Sequence, residues 1–238
     1  MATSTFLNLE ENKQREILNV AYQEFALNSY EKASLSLIVK NLAIAKGSFY
    51  RFFDSKLELY KYLIEDANRI RDEQVKKELN LPINNIIDLF NERLLILLNF
   101  DLVYPLYSGF LYNVFMENNH EELGNIMLDT KKNMVTEVKK VIKNQLITGT
   151  IRDDLDLDLI SYMVVQVQIG IYDYLTIKYK ISFREAIKDG KPLFSIPASE
   201  LMLTVKSFLN LVLSGLTYKA KGETMILDIK KIKTKITS

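Results

Sequence analysis

Apolar residues recur every three or four positions along most of the chain, the spacing of one face of an α-helix. In the first predicted helix, residues 8–27, this stripe is formed by Ile17, Ala21 and Phe25. A polar break follows, and a second, short helix is predicted from Ser34, a residue type that caps the amino ends of helices. The pattern therefore opens with two helices of unequal length.

A third short helix is predicted within "KGSFYRFF", residues 46–53, and a long helix follows it. Ser55 and Glu58 have the spacing of a capping box, in which each side chain bonds to the backbone of the other residue. The long helix extends to about residue 79, before Pro82. Further helices are predicted at 84–99, 105–118, 121–147, 156–180 and 198–218.

The helices at 156–180 and 198–218 are apolar over most of their circumference, so each must be buried on more than one side. Little of the sequence after them could cover them, which favours a second subunit as the cover. The alternative is a central position inside one subunit. The predicted interface residues are Ile160, Val164, Val167, Ile171, Val205, Phe208, Leu209, Val212, Leu213 and Leu216.

Composition agrees with an all-α globular protein. The 238 residues are 48% hydrophobic and 26% charged, with only 8 glycines and 4 prolines, too few for a chain rich in sheet turns. There is no cysteine, which excludes disulfides, thiolate zinc sites and cysteine nucleophiles. The apolar stretch at 94–116 contains Asp101 and Pro105, so a buried helix pair is favoured over a membrane span. The opening residues carry no secretion signal, and we expect a cytoplasmic protein.

Basic residues are concentrated around the predicted third helix although the net charge is only +1. Lys40, Lys46, Arg51 and Lys56 lie within 17 positions, where Asp54 is the single acidic residue. Two short helices followed by such charges are typical of a helix-turn-helix, whose second helix enters the DNA major groove by its amino end. The alternative is a tight connection between core helices, with buried aromatics and solvated charges.

Residues 15–59, "REILNVAYQEFALNSYEKASLSLIVKNLAIAKGSFYRFFDSKLEL", resemble the N-terminal domain of the tetracycline-repressor (TetR) family of bacterial transcription regulators. The resemblance runs without gaps through the "KGSFYRFF" block and the "SK" that precedes the long helix. More weakly, 149–160 and 211–216 resemble parts of the family's dimerisation helices. The sequence departs from the family pattern at Ser29, Val39, Ala43 and Ala45. The alanine at 45 replaces the serine or threonine that usually caps the recognition helix, the second helix of the helix-turn-helix.

The resemblance implies a helix-turn-helix DNA-binding domain at 1–56 and a helical ligand-binding and dimerisation domain at 57–238, joined through the long helix 56–79. It implies a homodimer that binds a palindromic operator in double-stranded DNA and is released by a small apolar or aromatic molecule. Lys46, Gly47 and Ser48 would contact base edges. Tyr50, Arg51 and Lys56 would contact phosphates. The predicted DNA-binding residues are Ser34, Ser36, Ala45, Lys46, Gly47, Ser48, Tyr50, Arg51 and Lys56.

The predicted effector pocket consists of aromatic and methionine side chains with a few polar groups, which suits an apolar or aromatic ligand. The alternative is that these side chains form ordinary core. The predicted pocket residues are Tyr104, Tyr107, Phe110, Tyr112, Phe115, Met116, Met127, Tyr162, Met163, Gln166 and Tyr172.

No cofactor, metal site or membrane partner is expected, and the chain is not expected to be an enzyme. His120 is the one histidine, and the acidic run "RDDLDLD" is interpreted as a helix start. The lysines from Lys219 onward are interpreted as solvated, with contact to DNA or to an acidic surface as the alternative. Two other functions stay open: a ligand-independent architectural or cell-cycle protein of the same fold, and an all-helical enzyme that uses carboxylates or tyrosines.

Overall fold

A computed structural model describes residues 2–78, 85–117 and 121–216, and within them the regular structure is entirely helical. This confirms the predicted all-α class. The helices are α1 Ser4–Leu7, α2 Glu11–Leu27, α3 Leu35–Asn41, α4 Lys46–Phe49, α5 Lys56–Glu78, α6 Ile86–Val103, α7 Pro105–Met116, α8 Ile126–Ile147, α9 Leu157–Tyr179, α10 Phe183–Lys188 and α11 Ala198–Leu216.

The helix ends follow the caps that the sequence offers. Ser34 Oγ accepts a hydrogen bond from the Leu37 amide, and Ser55 Oγ accepts one from the Glu58 amide at 3.1 Å. Asp156 caps α9 in the same way, which confirms the acidic run as a helix start. Gly149, with φ of 70°, closes the region after α8.

Two predicted boundaries are wrong at their amino ends. The first helix does not begin at residue 8, because a separate turn, α1, is capped by Thr3 and ends before α2. The third predicted helix of the second half begins at Ile126 rather than residue 121, because Gly124 has φ of 64° and interrupts the helical path.

The helices form one continuous core. Helix α2 packs on α7, which places the first helix of the N-terminal unit against the helices of the C-terminal half. Helix α9 packs between α8 and α11. A single apolar cluster of buried side chains extends from Phe6 at the amino end to Leu209 in α11. Movement of α7 is therefore mechanically coupled to α2.

A buried carboxylate fixes the connection between α9 and α11. Both carboxylate oxygens of Asp101 accept backbone hydrogen bonds, from the Leu193 and Phe194 amides at 2.9 Å each. Burial raises the pKa of Asp101, although these hydrogen bonds act in the opposite direction. Asp101 thus stabilises the turn after α10 by satisfying two backbone donors that would otherwise be unpaired.

Candidate nucleic-acid interface

Helices α3 and α4 form a helix-turn-helix with a tight turn. The turn bends at Ala43, whose φ of 52° lies in the left-handed region that favours glycine. The Ala43 amide donates to the Lys40 carbonyl and the Ile44 amide donates to the Val39 carbonyl, both at 3.1 Å, which closes the end of α3. The position where the family pattern has glycine is therefore a strained alanine.

We expect Ala43→Gly to raise the free energy of unfolding by about 1 kcal/mol, because glycine adopts a positive φ without steric cost. Urea denaturation of the full chain measures this change. Lys180→Gly is the matched control, since Lys180 has the same φ of 52° at the end of α9 and should give a similar gain. Destabilisation by Ala43→Gly with stabilisation by Lys180→Gly would contradict the strain at the turn.

The amino end of α4 projects into solvent. Lys46 and Gly47 are exposed, and a Cβ added at Gly47 would meet no atom within 4 Å. Ser48 is half-buried, and Phe49 anchors the helix with only 1% of its surface exposed. Ala45 makes no side-chain cap, so the first amides of α4 have no cap from that residue. This end can approach another surface closely without steric obstruction.

Exposed cations surround this helix end. Within the part of the chain that the structure describes, no ion pair involves Lys32, Lys40, Lys46 or Arg51, all of which are exposed. Lys32 and Lys40 are not among the predicted DNA-binding residues, although Lys40 belongs to the basic cluster that indicates the helix-turn-helix. Tyr50 is also exposed, at 45%. Cations without partners leave a positive surface that can neutralise phosphates.

The other predicted contact residues occupy different surroundings. Lys56 is half-buried, and its Nζ donates to the Glu31 carbonyl at 3.2 Å and to the Ala33 carbonyl at 3.0 Å. The same ammonium lies 4.5 Å from the centre of the Tyr30 ring. Lys56 therefore closes the turn after α2, and only part of its donor capacity remains for a phosphate. Ser36 is exposed and Ala45 is exposed.

The residues before α2 pack against the segment that follows α4, a contact that the sequence pattern does not predict. The Thr3 amide donates to the Phe52 carbonyl at 3.0 Å, and Phe6 is completely buried. The Phe6 ring lies 4.8 Å from that of Phe53 and 5.5 Å from that of Tyr62, measured between ring centres. The apolar pair "FL" within a polar segment was the only available signal.

A carboxylate at the centre of α5 binds this long helix to α2. Asp66 accepts two hydrogen bonds from the Arg15 guanidinium, at 2.8 and 3.0 Å, and one from Arg69 at 2.7 Å. The Tyr22 hydroxyl donates to the same carboxylate at 3.0 Å. Burial by itself raises the pKa of Asp66, but the hydrogen bonds from both arginines outweigh it and hold the pKa below its ordinary value. Asp66 is thus a charged residue that the fold stabilises in its ionised form.

Acidic side chains after α7 connect the N-terminal unit to the C-terminal half. The Tyr30 hydroxyl donates to Glu122 at 2.7 Å, and the Tyr60 hydroxyl donates to Glu117 at 3.2 Å. The Tyr30 amide also donates to Glu117, and Asn113 donates to the carbonyl of Phe25. Burial raises the pKa of both tyrosines, which remain neutral donors. The end of α7 is therefore tied to the turn next to Lys56.

The predicted effector residues do not line one described cavity. Phe110 is buried against Tyr22 and Tyr60, with ring centres 5.1 and 5.5 Å apart, and so belongs to the core. Tyr107 donates to Asn19 on α2. Tyr112 stacks on Phe183 at 3.9 Å. Burial raises the pKa of the Tyr172 hydroxyl well above its ordinary value.

The remaining predicted pocket residues are less enclosed. Met116, Tyr162 and Met163 are 46%, 50% and 51% exposed, so they lie on the surface of one protomer. Tyr104, Phe115, Met127 and Gln166 are half-buried, as are Tyr107, Tyr112 and Tyr172. An open cleft next to α10 is lined by other residues, among them Ile181, Ser182, Pro192 and Ile196.

The predicted interface stripe turns inward. Five of its residues are at least 95% buried within a single protomer, which means that no surface of theirs is left for a second subunit: Ile160, Val164, Ile171, Val205 and Leu209. Val167, Phe208 and Val212 are half-buried, and the side chains of Leu213 and Leu216 lie outside the described residues. These five assignments are therefore corrected: the stripe packs α9 and α11 against the protomer's own core.

A different set of apolar side chains on α9 and α11 faces solvent. On α9 the exposed residues repeat at helical spacing along one side, and α11 presents two more. They are Leu159, Tyr162, Met163, Tyr174, Ile177, Leu203 and Leu211. Ile177 and Leu211 have exposed fractions of 77% and 76%. We call these seven residues the exposed apolar face; large apolar side chains exposed along one side of a helix are typical of a protein contact.

Two further observations concern the described residues, and two features of the sequence lie outside them. Among the described residues, no group of histidine, aspartate or glutamate side chains could hold a metal ion. No helix of the described chain is long and apolar enough to cross a membrane. His120 and the lysine-rich residues from 219 onward lie outside the described residues.

Residues 17–63 match the family model described as "Bacterial regulatory proteins, tetR family". This range contains α3, the turn, α4 and the start of α5. Residues 17–63 therefore form a tetR-family segment. The prediction made from the "KGSFYRFF" block is confirmed, and the TetR assignment accounts for a helix-turn-helix set at the end of a long connecting helix.

Solved structures with the same fold cover nearly the whole chain. A TetR family transcriptional regulator from Chloroflexus aurantiacus J-10-FL has a TM-score of 0.75 at 21% identity, over 92% of this chain and 100% of that chain. The SmeT–triclosan complex has a TM-score of 0.61 at 12% identity, over 91% and 97%. The ketosteroid transcriptional regulator KstR2 of Mycobacterium tuberculosis has a TM-score of 0.52 at 16% identity, over 89% and 98%.

A comparison with curated protein sequences finds no match. At these identities, the structural likeness establishes the TetR fold across both halves of the chain. Residues 17–63 thus match the tetR family model, and the chain as a whole shares the fold of the solved TetR structures.

Proposed function

We propose that this TetR-fold regulator is a homodimeric repressor that binds a palindromic operator and is released from it by a small molecule. The observation that carries the proposal is the exposed amino end of α4, where Lys46 and Gly47 project without obstruction beside unpaired cations. A helix end of this kind can enter the major groove, with Lys46 donating to guanine. Residues 1–56 are proposed as the DNA-binding unit and 57–238 as the effector and dimerisation unit.

Dimerisation is proposed through the exposed apolar face of α9 and α11. A two-fold dimer carries two copies of α4, and a palindromic site requires them about one DNA turn apart. The face combines Leu, Ile, Met and Tyr side chains that would otherwise contact water. A second copy of the chain is the partner that covers such a face symmetrically.

Release by a small molecule is proposed through the packing of α7 on α2. A ligand that shifts α7 would act on the Asn113, Glu117 and Glu122 contacts to the N-terminal unit. The ligand can displace the equilibrium only by its differential affinity for the two states. One protein of similar fold is described as a complex with triclosan, which supports a small molecule as the effector.

The roles of Lys46 and Arg51 can be separated with DNA that the full chain enriches from a random pool. We expect Lys46→Ala to relax base preference at one position of each half-site, at a cost of about 1–3 kcal/mol of discrimination. Arg51→Ala should weaken all sequences alike and reduce the salt dependence of binding by about one unit for each half-site. Fluorescence anisotropy at several salt concentrations measures both effects.

Lys140→Ala serves as the matched control, because it removes an exposed cation from α8, outside the proposed DNA-binding unit, and should leave binding unchanged. Equal losses on enriched and random DNA for both Lys46→Ala and Arg51→Ala would contradict the assignment of the two roles.

A further inference from the structure

A polar cluster lies inside the C-terminal half, where α6, α8 and α9 meet. The Arg93 guanidinium donates to Gln168 Oε1 at 3.1 Å and to Glu137 Oε2 at 2.6 Å. We propose that Arg93 and Gln168 form a binding site for the carboxylate of an amphiphilic small molecule. This inference deepens the proposed function, because it names the chemical class of the effector.

The side-chain amide of Gln168 contains an unpaired hydrogen-bond donor. Gln168 is only 7% exposed, and its Nε2 has no hydrogen-bond partner although the atom is buried. The orientation of the amide is fixed, because Arg93 can only donate and Gln168 Oε1 must therefore face it. A buried amide without a partner costs about 1–3 kcal/mol, and an acceptor brought by a ligand would remove this cost.

Several hydrogen-bond donors converge at this cluster, beside the carboxylates of Glu137 and Glu92, whose charges both act on Arg93. Tyr172 lies on the same side of α9 as Gln168, four residues further on. Burial raises the pKa of Tyr172, while the positive charges of Arg93 and Arg71 lower it in part, so both cations act at its position. A guanidinium, an amide N–H₂ and a neutral phenol are all donors. Together they are complementary to an anion, and a carboxylate suits the planar guanidinium best.

The Glu137 carboxylate already pairs with Arg93, and a ligand carboxylate can displace it. Arg93 is 20% exposed by its side chain, whereas Glu137 is 65% exposed. A half-exposed ion pair contributes little to stability, so an incoming carboxylate can replace Glu137 at small cost. Displacement would return Glu137 to water and give the ligand access from the solvent side of α8.

Apolar side chains beside the cluster can contact the nonpolar part of the ligand. Helix α6 is rich in leucine and isoleucine, yet every described side chain from 91 to 99 is only half-buried. Leu97 lies one turn after Arg93 on the same side of α6. The Tyr172 ring lies 5.6 Å from that of Phe194, which adds an aromatic surface beside the cluster. An acid with an apolar tail can cover these surfaces while its carboxylate binds Arg93.

The test is calorimetric titration of the full chain, without DNA, with sodium octanoate and with octanamide, which has the same tail and no charge. We expect octanoate to bind at least about tenfold more tightly than octanamide, since a hydrogen-bonded charge adds about 1.5 kcal/mol or more. Equal affinities for octanoate and octanamide, or binding of neither, would overturn the proposal.

Three variants locate the site. Arg93→Met should weaken octanoate at least about tenfold. Gln168→Glu should do the same while the melting temperature stays at or above that of the parent, because the new carboxylate pairs with Arg93 and the unpaired amide disappears. Glu137→Gln should tighten octanoate binding by about threefold, because it removes the competing carboxylate.

These variants distinguish the site from a structural role. A residue that only supports the fold would change melting temperature and octanoate affinity together, whereas Gln168→Glu is expected to separate them. Octanoate that binds Arg93→Met and Gln168→Glu as it binds the parent would place the acid elsewhere and overturn the assignment. Release of DNA by octanoate is measured separately, so that failure of the regulatory function and failure of the binding site give different results.

Discussion

Replacing Ile177 and Leu211 with glutamate is expected to convert the protein from a dimer to a monomer that remains folded. Both side chains are more than three-quarters exposed in one protomer, so the changes leave the protomer's own packing intact. In a dimer they would place four carboxylates in a desolvated apolar contact, which costs more than such an interface provides. Sedimentation should fall from twice the 27.6 kDa of one chain to the single-chain mass.

The loss of the dimer should weaken binding to a palindromic DNA site by at least about 100-fold, because the two copies of α4 are no longer joined in one molecule. Leu7→Glu is the matched control, since Leu7 is 55% exposed on α1, far along the chain from α9 and α11. It should sediment as the parent does. A double variant that remains a dimer would move the interface away from the exposed apolar face.

Replacing Asp66 with alanine is expected to lower the free energy of unfolding by about 3 kcal/mol at pH 7. The change removes the bidentate contact with Arg15 and the contacts with Arg69 and Tyr22. It leaves the half-buried Arg15 guanidinium without its carboxylate, whereas the Tyr22 hydroxyl keeps the Leu63 carbonyl as an acceptor at 2.9 Å. Urea denaturation gives the difference. Asp72→Asn is the control, because Asp72 is 61% exposed and pairs with Arg71 at 3.4 Å, and it should change stability by less than about 0.5 kcal/mol.

The contribution of Asp66 should also depend on pH. Because the folded protein holds the pKa of Asp66 below its ordinary value, the stabilisation is present above the unfolded pKa of about 4 and is lost as the pH falls through the folded pKa. The difference between the parent and Asp66→Asn should therefore shrink in strongly acidic solution. A difference that grows as the pH falls would mean that the protonated carboxyl is the form stabilised.

The N-terminal unit could be predicted from sequence because its signals are local. Ser34 and Ser55 cap helices through residues three positions away, and the charges around Lys46 follow one another along the chain. Phe6 was missed, since its contacts with Phe53 and Tyr62 join residues that are 47 and 56 positions apart. Lys56 was assigned only to phosphate, because nothing in the local pattern indicates the carbonyls that its ammonium binds.

The C-terminal half shows where periodicity stops being informative. The stripe containing Val164 and Leu209 correctly identifies a buried side of each helix, but a pattern cannot tell whether the same chain or another one buries it. The Arg93–Gln168 contact was also invisible, because its two residues are 75 positions apart and neither breaks the local pattern. Long-range pairing of polar side chains depends on how helices pack, which a single sequence does not display.

DNA binding by the amino end of α4 can be tested by selecting bound DNA from a random pool with the full chain and with Gly47→Leu. We expect the parent to enrich an inverted repeat with half-sites about one helical turn apart. Gly47→Leu should melt as the parent does, since a Cβ there meets no atom within 4 Å, and should bind the enriched DNA at least about tenfold more weakly. A parent that enriches no sequence, or a Gly47→Leu variant that binds the enriched DNA as the parent does, would contradict the claim.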